Sequence, residues 1–192
     1  MDTKDKIMDA LIQLVTEKGY RGATTRAIAE RANVNEITLF RHFGSKDGIM
    51  EAAINKYSFV GELIGIVKEN FVWDLEKDLK FIAKKYQEQL NEHKDILLIS
   101  YKEAGTFPEI DEMISQHLYK VKETLMDYFK EMISLGKLYN QDVEAVVTHF
   151  LLINAGFFLL NLRLNDDSQM LLDDFLNKQV TLLVNSIKTI TK

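Results

Sequence analysis

Hydrogen-bonding side chains are concentrated near the N-terminus, in the stretch RANVNEITLFRHFGSK at residues 31–46. Its Asn, Glu, Thr, Arg, His and Lys side chains include donors to phosphate oxygens and both donors and acceptors for base edges. Apolar side chains interrupt them at Val34, Leu39 and Phe43. A helix that only covers a core shows one continuous apolar stripe. The mixed pattern therefore indicates a helix with two surfaces, of which one packs on the protein and the other can bond a polar partner.

The charge distribution agrees with a polyanionic partner. Residues 21–46 contain five basic and two acidic side chains, a net charge of +3, which leaves −8 for the rest of a chain whose total is −5. A basic segment on an acidic body is typical of a protein that presents one surface to nucleic acid.

Length and composition limit the class of protein. A chain of 192 residues with 46% hydrophobic residues can form one large domain or two small ones around a substantial core. The absence of cysteine excludes disulfides and thiolate metal sites. The charged first residues, MDTKDKIMDA, lack the apolar segment of a secretory signal peptide, so we expect a cytoplasmic protein.

Apolar spacing predicts an all-α protein. Two-residue alternation is nowhere sustained, the chain has one proline, and apolar residues recur at intervals of three and four, as at Ile7, Leu11, Leu14 and Val15. Helix boundaries in the first third are closely spaced: Gly19 ends one helix, and Thr24 or Thr25, Asn35 and Ser45 cap the next three. Between the second and third helices, Asn33 is placed to take a positive φ.

Longer helices are predicted beyond Lys46, over residues 46–70, 74–92, 94–104, 109–135, 141–164 and 168–190. Helices of about eight residues are not stable alone, so the short N-terminal ones must pack as a unit. A helix, a tight turn and a short second helix form the helix-turn-helix plan, in which the second helix enters the DNA major groove. In that plan the apolar Val34, Leu39 and Phe43 pack on Ile28 and Ala29, and the polar residues stay free for DNA.

Residues 17–49, EKGYRGATTRAIAERANVNEITLFRHFGSKDGI, resemble the DNA-binding domain of TetR-family transcriptional regulators of the TetR/AcrR type. The matching features are Gly19-Tyr20, Ala23-Thr24-Thr25, Ile28-Ala29, Val34, Thr38-Leu39-Phe40, His42-Phe43 and Ser45-Lys46. The resemblance implies a three-helix DNA-binding domain over residues 1–48, joined to a larger helical domain for effector binding and dimerisation over 49–192. Its close part covers residues 5–55, and the remainder agrees only in helix content and length.

The family plan assigns DNA contacts residue by residue. Thr25 would give its hydroxyl and backbone N–H to a phosphate, and His42 and Lys46 would also reach the DNA backbone. The predicted DNA-binding set is Thr24, Thr25, Arg26, Asn35, Glu36, Ile37, Thr38, Phe40, Arg41, His42 and Lys46.

Three positions depart from the family pattern. Phe40 stands where Tyr is usual and lacks the hydroxyl that would donate to a phosphate. Glu36 stands where a basic residue is common, and Ile37 where a small one is usual. Glu36 can accept from a cytosine amino group, Ile37 can contact a thymine methyl, and Arg41 can reach guanine or phosphate.

Purely structural roles remain open for several of these residues. The two threonines suit helix capping, Glu36 suits a solvated carboxylate in a first helical turn, and His42 suits an ordinary surface histidine. Arg26 and Arg31 favour general electrostatic attraction over base contact.

A dimer interface is predicted in the larger domain. Residues 142–164 are the most apolar stretch, but they include side chains that are costly in lipid: Glu144, His149, Asn154, Asn161 and Arg163. This composition argues against a membrane span and favours a helix buried on several sides. With the last helix it would form a four-helix interface, as in TetR-family dimers, through Phe150, Ile153, Phe157, Leu160, Leu176, Val180 and Leu183.

An effector pocket follows from the resemblance, because members of the family bind small molecules between the middle helices. The residues assigned to it are Phe71, Trp73, Tyr86, Tyr101, Phe107, Met113 and His117. Aromatic residues at helical spacing also suit an ordinary core, and both interpretations stay open at this point.

Enzyme signatures are absent from the sequence. It has no G-x-S-x-G, Walker A, G-x-G-x-x-G or H-E-x-x-H motif, and its histidines lack metal-ligand spacing, so we predict no catalytic, metal or cofactor site. The resemblance to the TetR family implies a homodimeric repressor that a small lipophilic effector releases from a palindromic double-stranded DNA operator. The alternative is a DNA-binding interaction protein without an effector, whose helical domain contacts another protein.

Overall fold

The computed structural model describes residues 2–56, 60–105, 108–139, 141–164 and 170–187. Within these ranges the regular structure is helical and no strand occurs, which confirms the all-α prediction. In chain order the helices are α1 (Thr3–Gly22), α2 (Thr25–Ala32), α3 (Glu36–Phe43), α4 (Lys46–Lys56), α5 (Val60–Glu69), α6 (Leu75–Glu92), α7 (Lys94–Lys102), α8 (Pro108–Ser134), α9 (Val143–Asn161), α10 (Leu172–Asp174) and α11 (Thr181–Ile187), with a π-helical segment at Phe175–Val180.

Two compact units divide the chain. The first takes residues 1–58 and 93–116, and the second takes 59–92 and 117–192. The single helix expected over 46–70 corresponds to α4 and α5, and residues 57–59 between them lie outside the described ranges. The helix α4 continues beyond residue 48 within the first unit. The proposed domain boundary after residue 48 remains a prediction.

Side-chain caps begin the short helices of the first unit. The Thr24 hydroxyl accepts from the Ala27 N–H at 3.2 Å, and the Ser45 hydroxyl accepts from the Gly48 N–H at 3.0 Å. The turn residue Asn33 has φ 53° and ψ 49°, a left-handed conformation that Asn tolerates better than most residues. These predicted caps and the predicted turn are confirmed.

Gly19 changes the direction of α1 one turn before its end. Its φ is 72° and its ψ is 167°, where a side chain would be strained. The expected stop at Gly19 is therefore only a kink, because the chain makes one further helical turn to Gly22. That extra turn contains Tyr20, whose ring is buried.

The core of the first unit joins α1 to four later helices, α2, α3, α4 and α7. Ile7, Leu11, Ile28, Leu39 and Ile49 are each fully buried in one apolar cluster. Two side chains of α7 belong to the same cluster, Ile96 at its edge and Ile99 inside it. Burying such a side chain contributes about 1.5–3 kcal/mol, so α7 contributes to the stability of the helix-turn-helix.

Buried polar groups distinguish the core of the second unit. Asp78 on α6 accepts from the Tyr128 hydroxyl and from the Val72 N–H, both at 2.9 Å. Burial and the Asp78 carboxylate raise the pKa of Tyr128 well above that of an ordinary tyrosine. Elsewhere in the unit, Gln87 on α6 donates to the backbone carbonyl of Asn154 on α9 at 2.9 Å. Both of these amide side chains are buried.

Candidate nucleic-acid interface

The α2–turn–α3 segment has one buried side and one exposed side. Leu39 is fully buried, and Val34 and Phe43 pack partly buried against the same cluster. The Val34 N–H donates to the Ala29 carbonyl at 3.0 Å, which fixes the turn between the two helices. The predicted inward face of α3 is thus confirmed.

The outward side of α3 contains most of the expected DNA-contacting residues. Ile37 is 74% exposed and Phe40 is 47% exposed, and Asn35 and Arg41 are exposed beside them. Glu36, Thr38 and His42 are half-buried. The Asn35 side-chain oxygen already accepts from the Ile37 N–H at 2.9 Å, because Asn35 caps α3.

A hydrogen bond joins the start of α2 to the start of α3. The Thr25 hydroxyl donates to the Glu36 carboxylate at 2.5 Å. The resemblance assigns this hydroxyl to a DNA phosphate, so it must leave Glu36 before it can bond one. One carboxylate oxygen of Glu36 is oriented by this bond in the structure without DNA.

Lys46 lies against Tyr20 at the start of α4. Its ammonium donates to the Tyr20 carbonyl at 2.9 Å and lies 3.9 Å from the centroid of the Tyr20 ring. Burial lowers the pKa of Lys46, while the carboxylates of Asp47 and Glu103 act in the opposite direction. A cation held in this way must extend outward to reach a phosphate.

Tyr20, Asp47 and Glu103 support Lys46, and none of the three was assigned a role from the sequence. The Tyr20 hydroxyl donates to the Asp47 carboxylate, and the Tyr20 N–H donates to Glu103 at 3.1 Å. Burial and the Asp47 carboxylate raise the pKa of Tyr20 far above its ordinary value. The Gly19-Tyr20 pair was visible as a motif, but no local signal marks Glu103, which lies 83 residues from Tyr20 in the chain.

Two arginines near the interface form ion pairs within the chain. Arg31 makes two hydrogen bonds to Glu17, at 2.7 and 2.8 Å, and Arg26 pairs with Glu30 at 3.0 Å. The hydrogen bonds with Glu17 raise the pKa of Arg31, and the same bonds lower the pKa of Glu17. Both arginines are thus paired with carboxylates of the same chain, and their general electrostatic role toward DNA remains a prediction.

Comparison with known proteins decides the family. Residues 7–53 match the family described as bacterial regulatory proteins, tetR family. Over 164 residues, which cover 85% of each chain, the sequence is 36% identical to the HTH-type transcriptional regulator YvkB of Bacillus subtilis. The chain belongs to the TetR family. Members of the TetR family are DNA-binding transcriptional regulators and not enzymes.

Two further relatives of this TetR-family regulator are informative. A segment of 51 residues, 27% of each chain, is 45% identical to IcaR of Staphylococcus aureus, a negative transcriptional regulator of the biofilm operon icaADBC. The solved structure of FadR from Bacillus subtilis in complex with stearoyl-CoA has a TM-score of 0.76 at 20% identity, covering 95% of this chain and 98% of that one. At that identity the FadR match establishes the fold.

The residues assigned to an effector pocket lie in different places in the TetR-family chain. Phe71 and Trp73 are half-buried, and their rings lie 4.6 and 5.7 Å from that of Tyr128. Tyr86 is buried in the second unit, and Tyr101 is 55% exposed in the first. Phe107 and the side chains of Met113 and His117 lie outside the part that the structure describes.

The residues assigned to a dimer interface lie mostly inside the protomer. Phe150, Phe157, Leu176, Val180 and Leu183 are buried, whereas Ile153 is half-buried and Leu160 is 54% exposed. Besides Leu160, the large apolar residues exposed on α9 and α11 are ones that were not assigned to the interface, namely Leu152, Leu159 and Leu182. The interface itself remains a prediction.

Length and composition alone would allow α9 to cross a membrane, since its mean hydropathy is 1.8 over an 18-residue window. One third of that window is buried in the protomer. The fully buried Asn154 lies near its middle.

Among the described residues, no group of three His, Asp or Glu side chains is placed to hold a metal ion.

Proposed function

We propose that this TetR-family regulator is a cytoplasmic homodimeric repressor that binds a palindromic operator and leaves it when a lipophilic small molecule binds its second unit. The observation that carries the proposal is the exposed side of α3, where hydrogen-bonding and apolar side chains face away from the core beside Lys46. Repression is supported by the similarity of a 51-residue segment to IcaR, which is a negative regulator.

The exposed face of α9 supports a dimer. Leu152, Leu159 and Leu160 lie at helical spacing and are 65%, 36% and 54% exposed. Gly156 lies between them, and a Cβ placed there would meet no atom within 4 Å, so another helix can approach closely. A second copy of α9 and α11 would complete a four-helix bundle. Two copies of α3 one DNA turn apart would then match a palindrome.

The proposed contact surface for a lipophilic effector is the aromatic cluster formed by Trp73, just before α6, and Tyr128 on α8. Trp73 has a φ of 58°, which is strained for a bulky residue, and its carbonyl accepts from Lys137 at 2.5 Å. Its ring is stacked 5.7 Å from that of Tyr128. The FadR structure contains stearoyl-CoA, so a long-chain acyl thioester is the first compound to test.

Binding of DNA is tested with Lys46→Ala. We expect weaker binding to every duplex and a smaller salt dependence, because each protomer loses one phosphate contact. The negative slope of log K against log salt should become shallower by about 0.9 per lost contact, or about 1.8 for the proposed dimer. The matched control is Lys130→Ala, which removes the same charge from an exposed lysine of the second unit. Titrations at several salt concentrations measure both effects, and an unchanged slope would contradict the assigned role of Lys46.

The effector is tested with the purified full chain. Stearoyl-CoA and a panel of other lipophilic compounds are added, and binding is followed by native mass spectrometry and by the shift in melting temperature. We expect a bound compound to raise the melting temperature and to release the DNA. If no compound of the panel binds, the alternative gains support: a regulator whose helical domain contacts another protein.

A further inference from the structure

We propose that Ile37 and Phe40 form an apolar recognition site for thymine methyl groups, and that this site sets the base preference of α3. The inference rests on the DNA-binding function of the TetR-family domain and deepens it by naming the chemical group that is recognised. Ile37 and Phe40 are three positions apart and therefore lie on the same side of the helix.

The first observation is that the side chains of Ile37 and Phe40 are both exposed to solvent. Ile37 is 74% exposed and Phe40 is 47% exposed, although α3 has only eight residues and already buries Leu39 completely. Neither side chain is needed to fill the core. Two large apolar side chains close together on a helix otherwise rich in hydrogen-bonding groups suit a partner surface that covers them both.

The second observation is the hydrogen bonding beside Ile37. In the first turn of α3, the side-chain oxygen of Asn35 accepts from the Ile37 N–H. This oxygen beside Ile37 is thus engaged within the protein. Ile37, the more exposed of the two apolar residues, extends from this turn.

The chemistry of the major groove then identifies the partner. Base edges there present hydrogen-bond donors and acceptors, together with a single apolar group, the C5 methyl of thymine. If Ile37 covered a donor or an acceptor, that group would lose its water without gaining a hydrogen bond, which is unfavourable. Contact with thymine methyls avoids this loss and also removes apolar surface from water.

The experiment begins with a selection of duplexes from random DNA by the full-length protein. The preferred duplex is then synthesised again with deoxyuridine in place of each thymine in turn, which removes the methyl and keeps the base pairing. Affinities are measured at one salt concentration for the unmodified protein and for Ile37→Val, Ile37→Ala and Phe40→Ala. Leu135→Ala is the control, because Leu135 is 49% exposed at the end of α8.

We expect one thymine of each half-site to depend on Ile37. Deoxyuridine there should weaken binding about four-fold for the unmodified protein and for Leu135→Ala, less for Ile37→Val, and not at all for Ile37→Ala, since a buried methyl-sized group contributes about this much. A second thymine should depend on Phe40 in the same way. Thermal melts of the variants check that they fold.

Two results would overturn the inference while leaving DNA binding intact. In the first, deoxyuridine is tolerated at every thymine of the selected duplex. In the second, a loss of affinity caused by deoxyuridine persists unchanged in both Ile37→Ala and Phe40→Ala. A selection that yields no preferred duplex would instead remove the proposed operator binding, and the thymine site with it.

Discussion

Both α3 and α9 expose apolar side chains, but the residues beside those side chains differ between the two helices. On α3 the exposed Ile37 and Phe40 are surrounded by Asn, Glu, Thr and Arg side chains that can bond base edges or phosphates. On α9 the exposed Leu152 and Leu160 share their face with Gly156. An apolar residue among hydrogen-bonding groups suits a partner with a mixed surface, such as the major groove. An apolar face with a small residue at its centre suits another helix.

The opposite sides of the two helices differ as well. The inner side of α3 is apolar, whereas that of α9 includes Asn154, which pairs with Gln87 of α6. An amide inside a core is stable only while its hydrogen bonds are made. A buried polar pair therefore restricts how α9 can rotate against α6, and this selects which of its apolar faces remains outside.

The largest expected effect is a difference in the free energy of unfolding between a variant of the buried side of α3 and a variant of its exposed side. Replacing the fully buried Leu39 with alanine should lower the free energy of unfolding by about 2–5 kcal/mol, because a cavity remains. Ile37→Ala, on the exposed side, should change it by less than about 0.5 kcal/mol. Chemical denaturation measures both. Equal losses for the two variants would contradict the assignment of an inner and an outer face.

A charge on the exposed face of α9 should have the next largest effect. Leu160→Asp should convert a dimer to a monomer, since an interface core tolerates no unpaired carboxylate, and it should weaken operator binding about 100-fold or more. Light scattering gives the mass, and DNA titration gives the affinity. Leu135→Asp carries the same change at an exposed site directly after α8 and should keep the mass of the unmodified protein. If Leu160→Asp also stays dimeric, α9 is not the interface.

The smallest effect concerns the polar pair behind α9. The side-chain oxygen of Gln87 is buried and has no hydrogen-bond partner among the described residues. Asn154→Ala should destabilise the protein by about 1–3 kcal/mol, because it removes the side-chain oxygen that accepts from the Gln87 amide at 3.2 Å and the amide that donates to the Phe150 carbonyl at 2.8 Å. Gln87→Met removes the unpaired oxygen and should cost less. Thermal melts rank the two, and the reverse order would show that the pair does not fix α9.

The sequence predicted features of the fold that depend on near neighbours. Caps at Thr24, Asn35 and Ser45 and the left-handed turn at Asn33 each involve residues within four positions, so residue type alone indicates them. The exposed face of α3 was predictable for a similar reason. Once the apolar positions of a short helix are assigned to the core, the remaining positions must form its exposed face.

Contacts over long sequence separations were not predictable in this way. The role of Glu103 depends on the packing of α7 against α1, and that packing leaves no trace in the residues around Glu103. The inner face of α9 was also assigned incompletely, since a helix that is apolar nearly all round gives no amphipathic signal to select one side. Burial of Phe150 rather than Leu152 is decided by the fit against other helices.

The presence of Ile99 in the core of the helix-turn-helix has a consequence for the order of folding. The first four helices are complete by Lys56, yet the cluster that holds them together includes a side chain at position 99. During synthesis, the apolar surface of the DNA-binding helices that α7 covers stays exposed to water until α5, α6 and α7 have been made. A fragment that ends after α4 should for this reason be less stable than the same helices in the full chain.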